Sequence, residues 1–208
     1  MTAVSGALAS RVRRALLGGS LLSAGLGALA PRAQALPSAN PLSGFELLDV
    51  NGRPFHTRSL TGKTVLINLI FTQCSSTCST TTTELVSLHQ RIQHMRVNEQ
   101  TEPSLVMVTV SIDPLNDTPQ ALKQFATARG VNFDRWHWLT GHPTEVARFV
   151  NTVVGPEMGQ KKPAQHLSSL QLFSPTGMRM ARFRGVGINI EQVLRESIRV
   201  DQFANKRA

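Results

Sequence analysis

The sequence predicts an α/β domain in which a central mixed sheet is flanked by helices. Two nearly continuous apolar runs, Thr64–Phe71 and Leu105–Ser111, are rich in β-branched residues. Runs of this kind are typical of central strands that are buried on both faces. Segments with helical spacing of apolar residues separate and follow the two runs, and this alternation favours a parallel sheet covered by helices.

The first half of the chain contains sequence signals for an N-terminal hairpin and for two helices. Glu46–Phe55 contains Asn51-Gly52 between two short apolar runs, which is a strong signal for an N-terminal hairpin. After the first long strand, a helix is indicated by apolar residues at helical spacing, namely Leu85, Leu88, Ile92 and Met95. Thr118-Pro119 supplies an N-cap and a first-turn proline for a second helix.

The second half repeats the alternation and then ends in a hairpin. Trp136–Leu139 is predicted as a short strand, and Pro143 opens the next helix. Two further strands, Leu167–Ser174 and Met178–Arg184, flank the turn tripeptide at 175–177. A C-terminal helix is indicated by apolar residues at Ile190, Val193, Leu194 and Ile198. This element order is that of a thioredoxin-like domain with an antiparallel hairpin at one edge of the sheet.

Composition excludes several classes of protein. With 208 residues and 41% hydrophobic residues, the chain has enough apolar material for one packed core and is not disordered. Without the four arginines of residues 1–35, the formal charge falls from +9 to +5. The basic residues are scattered and tyrosine is absent, which argues against nucleic-acid binding. The charge supports only a mild preference for acidic partners or anionic lipid surfaces.

The N-terminus has the pattern of an export signal. Arg11, Arg13 and Arg14 precede the apolar stretch 15–30, and Ala33-Gln34-Ala35 supplies a small-residue cleavage pattern. The domain prediction is therefore an export signal (1–35), a flexible leading segment (36–44) and a thioredoxin-like domain (45–208). Both the Sec and the twin-arginine routes stay open, and a retained membrane anchor is the alternative to cleavage. The predicted compartment is the periplasm, where disulfides are permitted.

Cys74 and Cys78 are the only cysteines of the chain, and they follow directly on a buried strand and precede a helix. A helix N-terminus favours thiolate over thiol, and if the segment is helical, an i, i+4 spacing places both sulfurs on one face. The pair is suited to a disulfide or to two ligands for a soft metal such as Cu(I). The alternatives are a stapling disulfide and two unrelated buried cysteines.

A third metal ligand has to come from a histidine, and the chain has six, namely His56, His89, His94, His137, His142 and His166. His89 and His94 lie on the predicted helix and are expected at the solvated surface. His137 is expected to be packed and His142 to cap a helix. His166 ends a loop and begins a strand, at the sheet end that faces the cysteines.

Several motifs occur in the order seen in one family. They are FTQCSSTCSTT at 71–81, VSIDPLNDTPQAL at 110–122, LTG at 139–141, and the strand after His166 with SPTG at 174–177. The chain resembles the SCO/SenC family of thioredoxin-like copper proteins associated with cytochrome oxidase maturation. The resemblance implies that Cys74, Cys78 and His166 are copper ligands and that Asp113 lies near the site. Ser79 departs from the family, in which a proline commonly follows the second cysteine.

Two functions are compatible with these residues. The first is a periplasmic chaperone that delivers copper, as Cu(I) or Cu(II), to the binuclear copper site of a respiratory oxidase. The second is a thiol-disulfide oxidoreductase in which Cys74 and Cys78 form the redox pair. The implied partners are the oxidase copper subunit, a thioredoxin-like reductase and another copper chaperone, with at most peripheral or single-anchor membrane association. A peroxide-reducing activity is disfavoured, because the CxxxC arrangement is not that of a single peroxidatic cysteine.

Overall fold

The computed structural model describes residues 40–74, 76–97, 104–155 and 169–205. The predicted export signal and His166 lie outside these residues. Strands and helices follow one another in this order: β1 (Glu46–Asp49), β2 (Pro54–His56), a short 3-10 helix (Thr57–Leu60), β3 (Thr64–Ile70), α1 (Thr77–Val97), β4 (Leu105–Ser111), α2 (Pro119–Thr127), β5 (Trp136–Thr140), α3 (Pro143–Val154), β6 (Ser169–Phe173), β7 (Arg179–Arg184) and α4 (Ile190–Asn205).

The described strands form one mixed sheet of seven strands in the order β2-β1-β5-β4-β3-β6-β7. β4 pairs in parallel with β3 and with β5, whereas β6 and β7 add an antiparallel hairpin beside β3. The predicted N-terminal hairpin is present, and it extends the sheet on the other side by pairing β1 with β5. Because Ile70 lies opposite Ser111, the loops that follow β3 and β4 leave the sheet side by side.

Each face of the sheet is covered by helices, as the apolar runs predict. One face packs against α1, α2 and α4 and includes Leu66, Met107 and Trp136. The opposite face packs against α3, whose Phe149 is fully buried beside Val65. All seven residues of β4 are buried, because helices cover both of its sides.

Local signals in the sequence account for several boundaries. The Thr118 side chain accepts a hydrogen bond from the Ala121 N–H at 3.2 Å, so it is the predicted N-cap of α2. His142 caps α3, with its Nδ1 accepting from the Thr144 N–H at 3.4 Å. The turn between β6 and β7 contains Gly177 at φ 79°, a conformation that favours glycine.

Two expectations need correction. α1 begins at Thr77, well before the first apolar residue of its stripe, so Cys78 belongs to the first turn of the helix. His89 is not at the solvated surface: it is 4% exposed, and its ring nitrogen Nε2 lies 2.7 Å from the Asp134 carbonyl oxygen. The ring packs edge-on against Trp136, which explains why a polar residue is accommodated there. His94 is exposed, as predicted.

The two edges of the sheet differ in composition. β2 is only three residues long and begins with Pro54, whereas β7 carries Arg179, Arg182 and Arg184, all exposed.

Within the ranges that the structure describes, no helix has the length and apolar character needed to span a bilayer.

Candidate metal and redox site

Both cysteines lie at the carboxyl edge of the central strands. The chain turns after β3, where the Cys74 N–H donates to the Phe71 carbonyl oxygen at 3.2 Å. The helical pattern starts where the Thr80 N–H donates to the Ser76 carbonyl oxygen at 3.0 Å. Cys78 is therefore held by a helix that packs on the sheet, whereas Cys74 lies in the turn that precedes it. Ligands of open α/β sheets bind at this edge.

The two thiols contact each other without being joined. The Cys78 backbone N–H donates to the Cys74 sulfur at 3.4 Å, and the two side chains are also hydrogen-bonded to each other. Both are free thiols in this structure, with Cys74 partly exposed and Cys78 buried. The predicted proximity of the two cysteines is thus present in the structure.

The two thiols differ in acidity. Burial raises the pKa of Cys74, but this effect is outweighed by hydrogen bonds to its sulfur from the Cys78 backbone and thiol and from the Ser76 and Thr77 backbones. The net result is that the pKa of Cys74 is lowered from its ordinary value of 9.0. The first turn of α1 therefore stabilises a thiolate at position 74.

Cys78 has the opposite tendency. Burial raises the pKa of the Cys78 thiol to about 12, although a backbone hydrogen bond involving Phe71 opposes the rise. The hydrogen bond to the Cys74 sulfur and the negative charges of Cys74 and Asp117 contribute to this rise. At neutral pH the arrangement is a thiolate-forming Cys74 next to a Cys78 that keeps its proton and donates it in a hydrogen bond.

Alkylation of the reduced, metal-free protein is expected to be selective for Cys74. Thiolate, not thiol, attacks iodoacetamide, so each rate falls as the pH drops below the pKa of that group. The midpoint for Cys74 should lie below 9.0, whereas that for Cys78 should lie near 12. At pH 8 we expect Cys74 to react at least about a hundredfold faster, since the pKa of Cys74 is lowered whereas that of Cys78 is raised to about 12.

Intact mass and peptide mapping after a short exposure to iodoacetamide measure this selectivity. The expected product carries one adduct, on Cys74, and a denatured sample serves as the control in which both thiols react. Equal labelling of the two cysteines in the native protein would contradict the acidity difference.

Two side chains that hold the cysteine region in place were missed by sequence reasoning. Asp117 is fully buried and accepts hydrogen bonds from Thr72, which comes two residues before Cys74. Arg129 donates from Nε to the Ser79 hydroxyl, directly after Cys78, at 3.1 Å. No local signal in the sequence marks Asp117, because an acidic residue beside a helix N-terminus is already accounted for by the helix dipole.

Asp113, which the family resemblance placed near the site, lies in the loop after β4. Its carboxylate accepts hydrogen bonds from the Asn116 side-chain amide at 3.1 and 2.9 Å, and its backbone N–H donates to the Ser111 hydroxyl at 3.0 Å. These contacts order the loop that neighbours the cysteines.

The predicted metal site has a third ligand, His166. Among the residues described, no three His, Cys, Asp or Glu side chains form a group that could hold a metal ion. His166 lies outside those residues, so the set of Cys74, Cys78 and His166 stays a prediction.

His137, which was expected to be packed, is half-buried against the Phe55 ring. Burial lowers the pKa of His137, and the positive charge of Lys63 lowers it as well. The negative charge of Asp49 acts in the opposite direction.

With fold and site described, comparison with known proteins identifies the family. The SCO1/SenC family profile matches residues 34–199, which is most of the chain. The chain belongs to the SCO1/SenC family. The match includes both cysteines, the Asp117 loop and the position of His166.

Individual relatives agree with this result. The SCO1 protein homolog of Bacillus subtilis (strain 168) is 28% identical over 147 residues, which cover 68% of this chain and 72% of the relative. A Stutzerimonas stutzeri protein named for copper binding is 29% identical over 154 residues, covering 72% of this chain and 69% of the relative.

A solved structure from the SCO1/SenC family confirms the fold. BsSco, a member of the Sco family of cytochrome c oxidase assembly proteins in which a disulfide switch was identified, superposes with a TM-score of 0.62. It is 25% identical, and the superposition covers 79% of this chain and 95% of BsSco. The predicted thioredoxin-like α/β fold is therefore correct.

Proposed function

We propose that this SCO1/SenC protein is an exported copper chaperone that delivers copper to the binuclear copper site of a respiratory cytochrome c oxidase. The observation that carries the proposal is the pair of free, hydrogen-bonded thiols of Cys74 and Cys78 at the carboxyl edge of the sheet. Support comes from the relative named for copper binding and from BsSco, which belongs to a family of oxidase assembly proteins.

The chemistry of the two thiols fits copper as a cargo. Soft thiolate ligands select Cu(I), and an imidazole nitrogen extends the range to Cu(II). Cys74 has a lowered pKa and is ready to bind, whereas Cys78 keeps its proton until a metal displaces it. Binding therefore releases a proton from Cys78, and uptake should strengthen as the pH rises. We assign His166 as the third ligand.

Removing the His166 imidazole should separate the two oxidation states of copper. In His166→Ala, Cu(II) binding is expected to weaken at least tenfold, whereas Cu(I) binding should change less because two thiolates still hold the ion. Competition with a chelator of known affinity measures each ion in turn. His94→Ala is the matched control, since His94 is exposed on α1. The assignment of His166 would be refuted if the affinities for Cu(I) and Cu(II) fell equally, or if the affinity for Cu(II) fell no more than in His94→Ala.

Export is the part of the proposal that rests on the N-terminal sequence. Arginines, an apolar stretch and Ala33-Gln34-Ala35 follow in the order of a cleavable signal, so the mature protein should begin near Leu36 and act in the periplasm. Intact mass of the protein recovered from the periplasmic fraction tests this. A full-length chain found only in the membrane fraction would support a retained anchor instead.

A thiol-disulfide oxidoreductase is the second candidate, and the unequal acidity of the cysteines favours it. The partly exposed Cys74 thiolate would attack a disulfide of a partner, forming a mixed disulfide and releasing one partner thiol. Cys78 would then attack the Cys74 sulfur, releasing the second partner thiol and leaving the Cys74–Cys78 disulfide. His166→Ala separates the two functions, since it should leave the reduction of glutathione disulfide unchanged while weakening Cu(II) binding.

A further inference from the structure

The Asp117 carboxylate is fully buried, and its hydrogen-bond partners are neutral. It accepts from the Ser111 hydroxyl at 2.5 Å, from the Thr72 N–H at 3.0 Å and from the Thr72 hydroxyl. Burying a carboxylate is costly unless it is paired with a cation or well supplied with hydrogen bonds. In the described part of the chain no salt bridge offsets that cost, so the three donors must hold the group.

These three hydrogen bonds join two loops at the carboxyl edge of the sheet. Thr72 belongs to the chain that leaves β3 and leads to Cys74, whereas Ser111 ends β4. The carboxylate lies between them and fixes where the first cysteine-bearing stretch leaves the sheet. Asp117 is itself fixed, because its N–H donates to the Asp113 carbonyl oxygen at 2.8 Å.

A second polar contact fixes the chain on the other side of the two cysteines. The Arg129 Nε donates to the Ser79 hydroxyl at 3.1 Å, and its Nη1 donates to the Phe125 carbonyl oxygen at 2.9 Å. The guanidinium carbon lies 3.4 Å from the centroid of the Phe125 ring, so the planar group is stacked and has one orientation. Both contacts originate from the stretch of chain that contains α2.

We propose that Asp117 and Arg129 are positioning residues that set the separation of Cys74 and Cys78 by fixing Thr72 and Ser79. The pair would then be organised before either copper or oxidation joins the sulfurs, which is how preorganisation raises affinity. The copper part of this inference rests on the proposed function. The redox part does not, because it concerns the metal-free thiols alone.

Equilibration of metal-free protein with glutathione measures the effect on the sulfurs directly. One glutathione disulfide oxidises the Cys74 and Cys78 thiols to an intramolecular disulfide and yields two glutathione thiols. The equilibrium constant of this reaction reports how effectively the fold brings the two sulfurs together. In Asp117→Asn we expect the constant to fall at least fivefold, which raises the reduction potential of the pair by about 20 mV.

Asp201 provides a matched control at the opposite end of β3. Its carboxylate accepts hydrogen bonds from the hydroxyls of Thr64 and Ser104 and from the Ser104 N–H, so the chemistry of the contact is the same. Thr64 and Ile70 are the two ends of β3, about 20 Å apart at the usual rise of a strand. Asp201→Asn should therefore lower the thermal midpoint without changing the glutathione equilibrium.

Three further variants test the inference while leaving Asp117 itself unchanged. Thr72→Val removes one hydroxyl donor and should lower the constant at least threefold. Ser79→Ala and Arg129→Met should each lower the equilibrium constant to a similar extent. The double variant should show no larger effect than either single variant, because both substitutions remove the same contact. Arg148→Met is the control for the arginine, since Arg148 also lies over an aromatic ring, 5.1 Å from the Phe45 centroid.

The outcomes separate this inference from the proposed function. Shifts in the glutathione equilibrium for Asp117→Asn and Thr72→Val, with none for Asp201→Asn, would support it even if the wild-type protein binds no copper. If the protein does bind copper, the affinity for Cu(I) should fall in the same variants. Values for Asp117→Asn and Thr72→Val equal to wild type, or an equal shift in Asp201→Asn, would overturn the inference.

Discussion

Replacement of Cys78 by serine is expected to abolish stoichiometric copper binding while leaving the domain folded. A serine hydroxyl is a hard oxygen donor that does not ionise at neutral pH, so only one thiolate would be left for a soft ion. Cys78 is buried at 9% exposure in the first turn of α1, and serine is close to it in size. The hydroxyl can also keep the hydrogen bond to the Cys74 sulfur, so the loss should fall on the metal and not on the fold.

The ratio of copper to protein after removal of loosely bound metal tests this expectation. The wild type should retain about one ion per chain, with thiolate-to-copper charge transfer visible after Cu(II) is added, and Cys74→Ser should behave like Cys78→Ser. Ser87→Ala, on an exposed position of the same helix, is the control. Unchanged stoichiometry and spectra in Cys78→Ser would remove Cys78 from the site.

Oxidation of the thiol pair is expected to have an equally large effect. Copper binds thiolates, and a Cys74–Cys78 disulfide offers none, so fully oxidised protein should take up no copper at these sulfurs. The Cys78 N–H already donates to the Cys74 sulfur at 3.4 Å, so the two cysteines are close neighbours although Cys74 lies in the turn before α1. Oxidation should therefore need little rearrangement, and a reductant would be required before loading.

Copper uptake by fully reduced and fully oxidised protein measures this switch, with intact mass to confirm the redox state after loading. Protein that is oxidised and then reduced again should recover full uptake, which serves as the control against irreversible damage. Copper bound at full stoichiometry with the disulfide intact would contradict both the switch and the assignment of Cys74 and Cys78.

The sequence predicts the strands well because their patterns are local. β3 and β4 are continuous apolar runs that require cover on both faces, and the structure supplies that cover. The expectation for His89 was wrong because the position of a residue on a helix can outweigh its polarity. His89 lies four residues after Leu85 and therefore shares the buried side of α1, where a carbonyl oxygen and the Trp136 ring accommodate its imidazole.

The candidate site is predictable only in part, because its supports are distant in sequence. The thiols and their spacing are visible in the motif, whereas Thr72 and Asp117 are separated by 45 positions and Ser79 and Arg129 by 50. Which polar residues meet at the carboxyl edge depends on β3 and β4 being neighbours in the sheet. Hydrophobic periodicity predicts that those strands exist. It does not identify which groups will donate hydrogen bonds to a buried carboxylate.

The contrasting edges of the sheet have a consequence for the behaviour of concentrated protein. An exposed strand edge can recruit a strand from another molecule, which is the first step towards aggregation. β2 is short and begins with a proline that has no N–H to donate, and β7 presents three arginines that repel the same strand of a second copy. The domain should therefore resist edge-to-edge growth in a crowded compartment.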